Sequence, residues 1–312
     1  MEVYHALSNY ENTTGAVVTI GTFDGVHIGH QKIISRLTEV ADSQQLKSVV
    51  LTFWPHPRQI LRPKDPPIPL LFSLDEKLKA FEMLKVQHVV VLPFNVALAT
   101  HSAMEFTQKV LAEALHTRHL IIGYDHHFGH NREGNLDFLK IHGPSFGFEV
   151  EEIAAQDIDD IAVSSSKIRT ALLEGNIPLA NSFIGAPYQL HATVIAGAQL
   201  GRTLGYPTAN LQVLEPLKLL PKRGVYVVKA MYDLMAYPAM MNIGTKPTVG
   251  AKEITLEVHI LGFNQDIYGK ELQIQFYGRL RDEVSFGSLE ELKRQLAIDR
   301  KRTEDFFQKI GS

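Results

Sequence analysis

The chain has 312 residues, 45% hydrophobic and 21% charged, enough for two domains of ordinary size. A formal net charge of -3 offers no basic balance for nucleic acid. The absence of cysteine excludes disulfides, thiolate metal sites and thiol catalysis. No apolar run approaches the roughly 20 residues of a spanning helix, so no membrane partner is expected. The opening MEVYHALSNYEN has neither a basic region nor an apolar segment, so no secretory signal is expected and the expected setting is cytoplasmic.

In chain order, Val17 to Ile20 reads as a short buried strand that Gly21-Thr-Phe-Asp-Gly25 interrupts. From Gly29 onward, Ile33, Ile34, Leu37, Val40 and Ala41 recur at helical spacing. Strand, glycine-rich loop and helix place His27 and His30 at a helix start. Free backbone N–H groups there suit a phosphate, and two imidazoles add donors or positive charge. The loop is not a P-loop, because no Gly-Lys-Ser/Thr follows, and it lacks the later glycines of a dinucleotide fingerprint.

Leu46 to Phe53 is a second strand, stopped by Trp54-Pro-His-Pro57. His56 is either a turn residue or part of a pocket. The proline-rich 62–69 reads as an extended surface loop, a connector or a flap. Ser73 with Glu76 forms a capping box that opens a helix to about Lys85. Val89 to Leu92 is the third strand. Ser102 and Glu105 repeat the capping box, with Phe106, Val110, Leu111 and Leu115 on one face. His119 to Gly123 and Phe148 to Ile153 are the fourth and fifth strands. This alternation predicts a parallel sheet covered on both faces, with ligands at the carboxyl ends of its strands.

The segment Gly123 to Gly134 follows such an end. Asp125, His126, His127 and His130 are residue types that bind zinc, but they share one short loop with no identified partner cluster elsewhere. Val163 to Arg169 opens another helix. Its serines with Lys167 and Arg169 suit triphosphate oxygens, or form a serine N-cap with two solvated bases.

The alternating pattern stops at Asn181 to Pro187. The expected division is residues 1–182, a linker at 183–186, and a second domain at 187–309. Tyr188–Ala196, Val225–Met231, Tyr237–Asn242, Ile254–Leu261 and Glu271–Tyr277 read as strands of a small antiparallel barrel. A last helix starts near Ser288, with Leu289, Leu292, Leu296 and Phe306 packing back and Glu291 and Gln295 outward. In Gly201 to Asn210, two glycines and Tyr-Pro precede Thr208 and Asn210. Their oxygens suit a hard cation, and glycine N–H groups suit phosphates; a purely structural loop is the alternative. Glu257 and His259 alternate with Leu256, Val258 and Ile260, which puts the two polar residues on one face.

Gly21 to His30 resembles the HxGH signature of nucleotidylyl transferases. With its flanking Thr-Phe-Asp-Gly it resembles the adenylyltransferase half of the prokaryotic bifunctional riboflavin kinase/FAD synthetase family. That resemblance implies a Rossmann-like, parallel-sheet adenylyltransferase domain followed by an antiparallel β-barrel kinase domain with a terminal helix. It assigns Gly21, Phe23, Asp24 and Gly29 to the nucleotide loop and His27 and His30 to catalysis, and it places His56 in a family Pro-His-Pro. Gly123, Asp125, Phe128, Gly129, Arg132 and Gly134 match a loop that holds adenine or flavin, with His126 where phenylalanine is common. Ser165, Ser166 and Arg169 match a phosphate-gripping Ser-Ser-x-Arg-Ile-Arg, with Lys167 in an arginine position.

In the second half, Gly201 to Asn210 resembles the riboflavin kinase signature G-x-x-L-G-[FY]-P-T-A-N. Asn242-Ile-Gly-Thr-Lys-Pro-Thr248, Leu256-Glu-Val-His259, Tyr268-Gly269 and Arg279 to Glu283 match further family motifs, with Lys246 replacing arginine. The resemblance implies that Gly201, Gly205, Arg279 and Arg281 contact nucleotide or flavin, that Thr208 and Asn210 hold Mg2+, and that Glu257 is the base. The implied substrates are ATP, riboflavin and FMN, with small molecules as the only partners; independently of the resemblance, a monomer or weak homo-oligomer is the default expectation. The alternative is an HxGH nucleotidylyltransferase carrying a non-catalytic flavin-binding barrel.

Overall fold

The computed structural model describes every residue except 12–13, 125, 154–162, 198–203, 249–250 and 312, and only the backbone of 246–248 and 251–253. By contacts the chain forms two compact units, Met1–Ser165 and Ser166–Ser312.

The first unit is built on a six-stranded sheet of β1 (Glu2–Tyr4), β2 (Ala16–Ile20), β3 (Lys47–Trp54), β4 (His88–Pro93), β5 (Thr117–Gly123) and β6 (Glu149–Ile153). The spatial order is β1-β4-β3-β2-β5-β6, and every neighbouring pair is parallel. All five residues of β2 are buried, as a central parallel strand covered on both faces requires. From β2 the chain runs outward on one side through β3 and β4, and β5 and β6 fill the other side. The loops after β2 and β5 therefore flank the point where strand order reverses, the crevice in which open α/β sheets bind ligands.

Helices α1 (Ile28–Gln44), α2 (Pro57–Leu61), α3 (Leu74–Met83), α4 (Val96–Ala99), α5 (Ala103–Phe106) and α6 (Leu136–His142) connect the strands. The two expected capping boxes are present at Ser73/Glu76 and Ser102/Glu105. The helix after Ser102 continues from α5 as a π-helix over Thr107–Ala114. Sequence periodicity missed β1. Three residues are too few to show alternation, and the strand exists because its backbone pairs with β4 from Glu2 opposite His88.

The second unit is a closed barrel of β7 (Gln189–Ile195), β8 (Ala209–Val213), β9 (Gly224–Tyr232), β10 (Met235–Thr248), β11 (Ala251–Ile260) and β12 (Glu271–Arg281), in the order β10-β11-β8-β7-β12-β9. Its pairs are antiparallel. Tyr188, Tyr226 and Phe276 are its largest fully buried side chains.

Two helices that precede the barrel belong with it, α7 (Ser165–Glu174, from Ser166 on) and α8 (Ile177–Ile184). Ile177, Ala180, Phe183 and Ile184 of α8 are buried. Asn181 spans the junction: its Nδ2 donates to the Phe276 carbonyl and its Oδ1 accepts from Tyr188 N, each at 2.8 Å. Lys222 N donates to the Leu172 carbonyl at 2.9 Å. The break by contacts therefore precedes the 183–186 segment marked by the change of pattern. The end of the αβ alternation records where strands become antiparallel, whereas α7 and α8 are assigned by what they cover.

The terminal helix α9 (Leu289–Lys309) begins at the expected Ser288, whose hydroxyl accepts from Glu291 N. Its packing face differs from expectation. Leu289 is 53% exposed, while Asp299, Thr303 and Phe307 are buried. Gln295 turns inward, donating to Asp299 Oδ1 at 2.9 Å. A buried aspartate met by Arg281 gives α9 a polar seam that an apolar-periodicity reading does not find.

Candidate active sites

In the first unit, the loop after β2 follows a path few sequences allow. Phe23, Gly25 and Val26 have φ of 48°, 86° and 35°. Positive φ at a β-branched valine is strained, and such strain persists only where the surroundings fix it. Here they do. Asp24, 2% exposed, accepts from Leu71 N at 3.0 Å and from Phe72 N at 3.0 Å. Ser165 Oγ donates to the Asp24 carbonyl at 2.8 Å, and Gln31 Nε2 to the Val26 carbonyl at 2.8 Å. Phe23 is buried edge-on against both Phe81 and His30. Phe23 and Asp24 thus shape the loop from within. Gly21 sits close under the Phe23 ring, where a Cβ would stand 3.0 Å away and press on it.

The loop delivers His27 as the N-cap of α1, and its Nδ1 accepts from His30 N at 3.4 Å. The two imidazoles stack with centroids 3.6 Å apart and planes 18° from parallel, and buried Gly29 lies between them in sequence. Burial, with His27 and Lys77 nearby, holds the His30 pKa well below its ordinary value, so its ring is neutral near pH 7. A neutral imidazole can donate a hydrogen bond but carries no fixed positive charge.

His56 is the N-cap of α2, its Nδ1 accepting from Arg58 N at 3.2 Å. In the loop after β5, Phe128 is buried among Phe106 and Phe138, and its backbone pairs with Gly134. A Cβ on Gly134 would overlap the Phe128 ring at 2.6 Å. Phe128 therefore anchors this loop, and His126 stacks on it at 5.9 Å. Arg132 is exposed. Asp125 lies outside the described residues. Ser166 and Arg169 fall in the second unit, in the first turns of α7.

In the second unit Thr208, Glu257 and Arg281 line a cavity of about 250 Å³ between the outer face of the barrel and α9. Its lining includes Tyr206, Thr208, Asn242, Glu257, Glu283 and Leu296. The sheet register sets the neighbours of Glu257. Asn210 on β8 lies opposite Glu257 on β11, which lies opposite Asn242 on β10. That row continues through Val225 on β9 to Arg281 on β12. Thr208 Oγ1 stands 3.5 Å from Glu257 Oε2, the long limit of a hydrogen bond. Gly197 lies flat on the Asn210 amide, which a Cβ there would strike at 1.9 Å.

His259, two positions along β11 from Glu257, is 7% exposed, and its Nδ1 donates to the Pro207 carbonyl at 2.7 Å. Burial lowers its pKa, and the Pro207 bond opposes that shift. Gly205 has φ of 81°, a conformation that favours glycine. Arg281 grips the fully buried Asp299 with Nε at 3.0 Å and Nη2 at 2.8 Å from Oδ2. Arg279 donates to the Arg223 carbonyl and to Asp282 Oδ1, each at 2.6 Å. Both arginines therefore carry structural partners beside the cavity. Gly201 lies outside the described residues, as does the side chain of Lys246.

Sequence reasoning missed Asn242, Glu283, Asp299 and Lys77. Asn242 was visible only as the first residue of a motif, and its place opposite Glu257 is a matter of register. Asp299 and Lys77 look like solvated charges on amphipathic helices, and only burial distinguishes them.

The family model for FAD synthetase matches residues 9–167, and that for riboflavin kinase matches 184–307. A bifunctional riboflavin kinase/FMN adenylyltransferase from Pseudomonas fluorescens is 40% identical over 286 residues, covering 91% of each chain. The Haemophilus influenzae protein of that description is 36% identical over 98% of this chain and 99% of its own. A solved structure described as a macrolide-efflux protein from Streptococcus pneumoniae has a TM-score of 0.87 at 31% identity, covering 97% of this chain and 98% of that one. Among the described residues no helix is long and apolar enough to cross a membrane. Two family models in tandem, and relatives that share both halves end to end, place the chain in the bifunctional riboflavin kinase/FMN adenylyltransferase family.

Proposed function

We infer that the chain phosphorylates riboflavin with ATP to FMN in the barrel unit, and transfers AMP from a second ATP to FMN in the parallel-sheet unit, giving FAD and pyrophosphate. The observation that supports the kinase half is the rung that sets Asn210 opposite Glu257 and Glu257 opposite Asn242, with Glu257 and Asn242 lining the cavity. The ribityl hydroxyl is a poor nucleophile, so it gains from a base. Glu257 is the proposed base that takes its proton as the oxygen bonds the γ-phosphorus and ADP leaves.

Mg2+ fits this site by its donor chemistry. Thr208 and Asn210 offer hard neutral oxygens beside the Glu257 carboxylate, and among the described residues no cluster of three His, Cys, Asp or Glu side chains forms a separate cage. Thr208 and Asn210 would hold the ion together with nucleotide phosphates. When bound, it neutralises charge on the phosphate oxygens.

Adenylyl transfer asks for different groups. The FMN phosphate is already an anionic nucleophile, so no proton has to leave it. What the step needs is alignment and stabilisation of charge at the α-phosphorus as pyrophosphate departs. Neutral His30, His27 and the α1 N-terminus supply donors on one side of the crevice. Ser165, on the same unit, is assigned to the phosphates.

The test is incubation with riboflavin, ATP and Mg2+, followed by separation of FMN and FAD. Both products form in wild type. The Asn210→Ala chain is expected to need more Mg2+ for FMN formation while still converting supplied FMN to FAD. A chain that makes FAD from FMN but no FMN would favour a non-catalytic barrel.

A further inference from the structure

Lys77 has no place in the motifs, yet it lies under the nucleotide loop. It projects from α3 with 3% exposure. Its Nζ donates to the Thr22 carbonyl at 2.7 Å and to Thr52 Oγ1 at 3.4 Å, and it stands 5.7 Å from the centroid of the Trp54 ring. Thr22 belongs to the loop after β2, and Thr52 and Trp54 to the end of β3. One ammonium therefore ties together the carboxyl ends of two adjacent strands, where the crevice forms.

A lysine is a costly way to fill such a space. Burying an ammonium is unfavourable unless it is well partnered, and an apolar side chain of similar length would fill the site without that cost. What lysine adds is a charge-assisted bond to one carbonyl, stronger than a neutral one. That carbonyl belongs to the residue before Phe23, where the backbone turns into the left-handed region.

We propose that Lys77 is a positioning residue for adenylyl transfer, its ammonium holding the Thr22–Val26 backbone in the path that presents His27 and His30. This rests on the assignment of that reaction to the Gly21–His30 loop. Lys77 acts through the loop and touches no reacting atom. The charged groups facing it are Asp24 from the loop and, when protonated, His30 from α1. β3 presents only neutral Thr52 and Trp54, and on α3 itself Glu76 is occupied in capping Ser73. Burial pushes the Lys77 pKa down to about 8, with Asp24 opposing the shift. Loss of the proton weakens the Thr22 tether within an accessible pH range.

The test uses the full chain and two assays on each preparation, FAD formation from supplied FMN and FMN formation from riboflavin, between pH 6.5 and 9.5. Wild-type FAD formation is expected to fall above about pH 8. Lys77→Met should lower kcat for FAD formation about 10- to 100-fold near pH 7.5, with a smaller change in KM for ATP and a profile flat across pH 8. Lys77→Arg, which keeps its proton throughout, should recover much of the rate and lose the alkaline fall. Kinase turnover should follow none of these changes.

An alkaline fall that persists in Lys77→Met, or in Lys77→Arg should the methionine variant not fold, would overturn the proposal. So would a Lys77→Met rate equal to wild type. His30→Ala separates the two readings. If it leaves FAD formation intact, the loop assignment fails; if it abolishes FAD formation while Lys77→Met changes nothing, only the role of Lys77 fails.

Discussion

Glu257 and Asn210 face each other across one rung of the antiparallel β8–β11 ladder, and Asn242 flanks Glu257 on the opposite strand. A carboxylate held between two amide-bearing positions is fixed by three backbones. Glu257→Gln keeps the shape and the reach but cannot accept a proton. We expect kcat for FMN formation to fall roughly 10²–10⁴-fold, with riboflavin affinity little changed. FAD formation from supplied FMN should stay near wild type. Steady-state kinetics of the two half-reactions decide it, and a variant with near-normal kinase turnover ends the base assignment.

His30 is enclosed by His27 and Phe23 and is neutral near pH 7. We propose that its value to adenylyl transfer is as a hydrogen-bond donor to developing charge. His30→Ala should lower FAD formation by roughly 10²–10³, the usual loss for one such donor. Riboflavin phosphorylation serves as the internal control. Equal loss of both activities in a folded protein would contradict the assignment.

Much of this was legible in the chain itself. Hydrophobic runs located the five longer strands of the parallel sheet, since a fully buried strand must be apolar throughout. Capping boxes marked two helix starts to the residue. Motif spacing identified both loops, because a left-handed turn and a close backbone approach demand glycine at fixed places. What stayed hidden depends on partners distant in sequence. β8 is not among the expected strands, because its strand character comes from pairing with β11 and β7. Asp299 and Lys77 required knowledge of burial. Phe23 and Phe128 belong to recognisable motifs, but their rings lie in the core, which spacing does not reveal.

The placement of α7 and α8 predicts where the chain can be cut. A fragment of residues 166–312 should fold and phosphorylate riboflavin without making FAD. A fragment of residues 187–312 lacks α8, whose buried Ile177, Phe183 and Ile184 are worth on the order of 5 kcal/mol of apolar burial, enough to erase most of a domain's stability. Thermal melts of the two fragments compare them. Equal midpoints would show that α8 is dispensable to the barrel and that the boundary lies nearer 183–186.

His259 links the acid stability of the barrel unit to the Thr208 segment. Its Nδ1 donates to the Pro207 carbonyl from a buried position, and Tyr206 packs edge-on against its ring at 5.4 Å. Burial sets its folded pKa below the ordinary 6.5, so the unfolded chain binds a proton more readily than the folded one. Its effect on stability is therefore constant above pH 6.5, and stability is lost as pH falls from 6.5 towards the folded pKa. His259→Asn keeps an amide donor near the position of Nδ1 but does not titrate. In urea unfolding of the 166–312 fragment, the variant should be less stable than wild type at pH 7.5, since packing is lost. That deficit should shrink as pH is lowered below 6.5, where only wild type has a buried imidazole to protonate. The same variant should raise KM for MgATP more than it lowers kcat, because Pro207 precedes Thr208. A deficit that stays constant down to pH 5 would mean that His259 is charged in the folded barrel and that the acid sensitivity lies elsewhere.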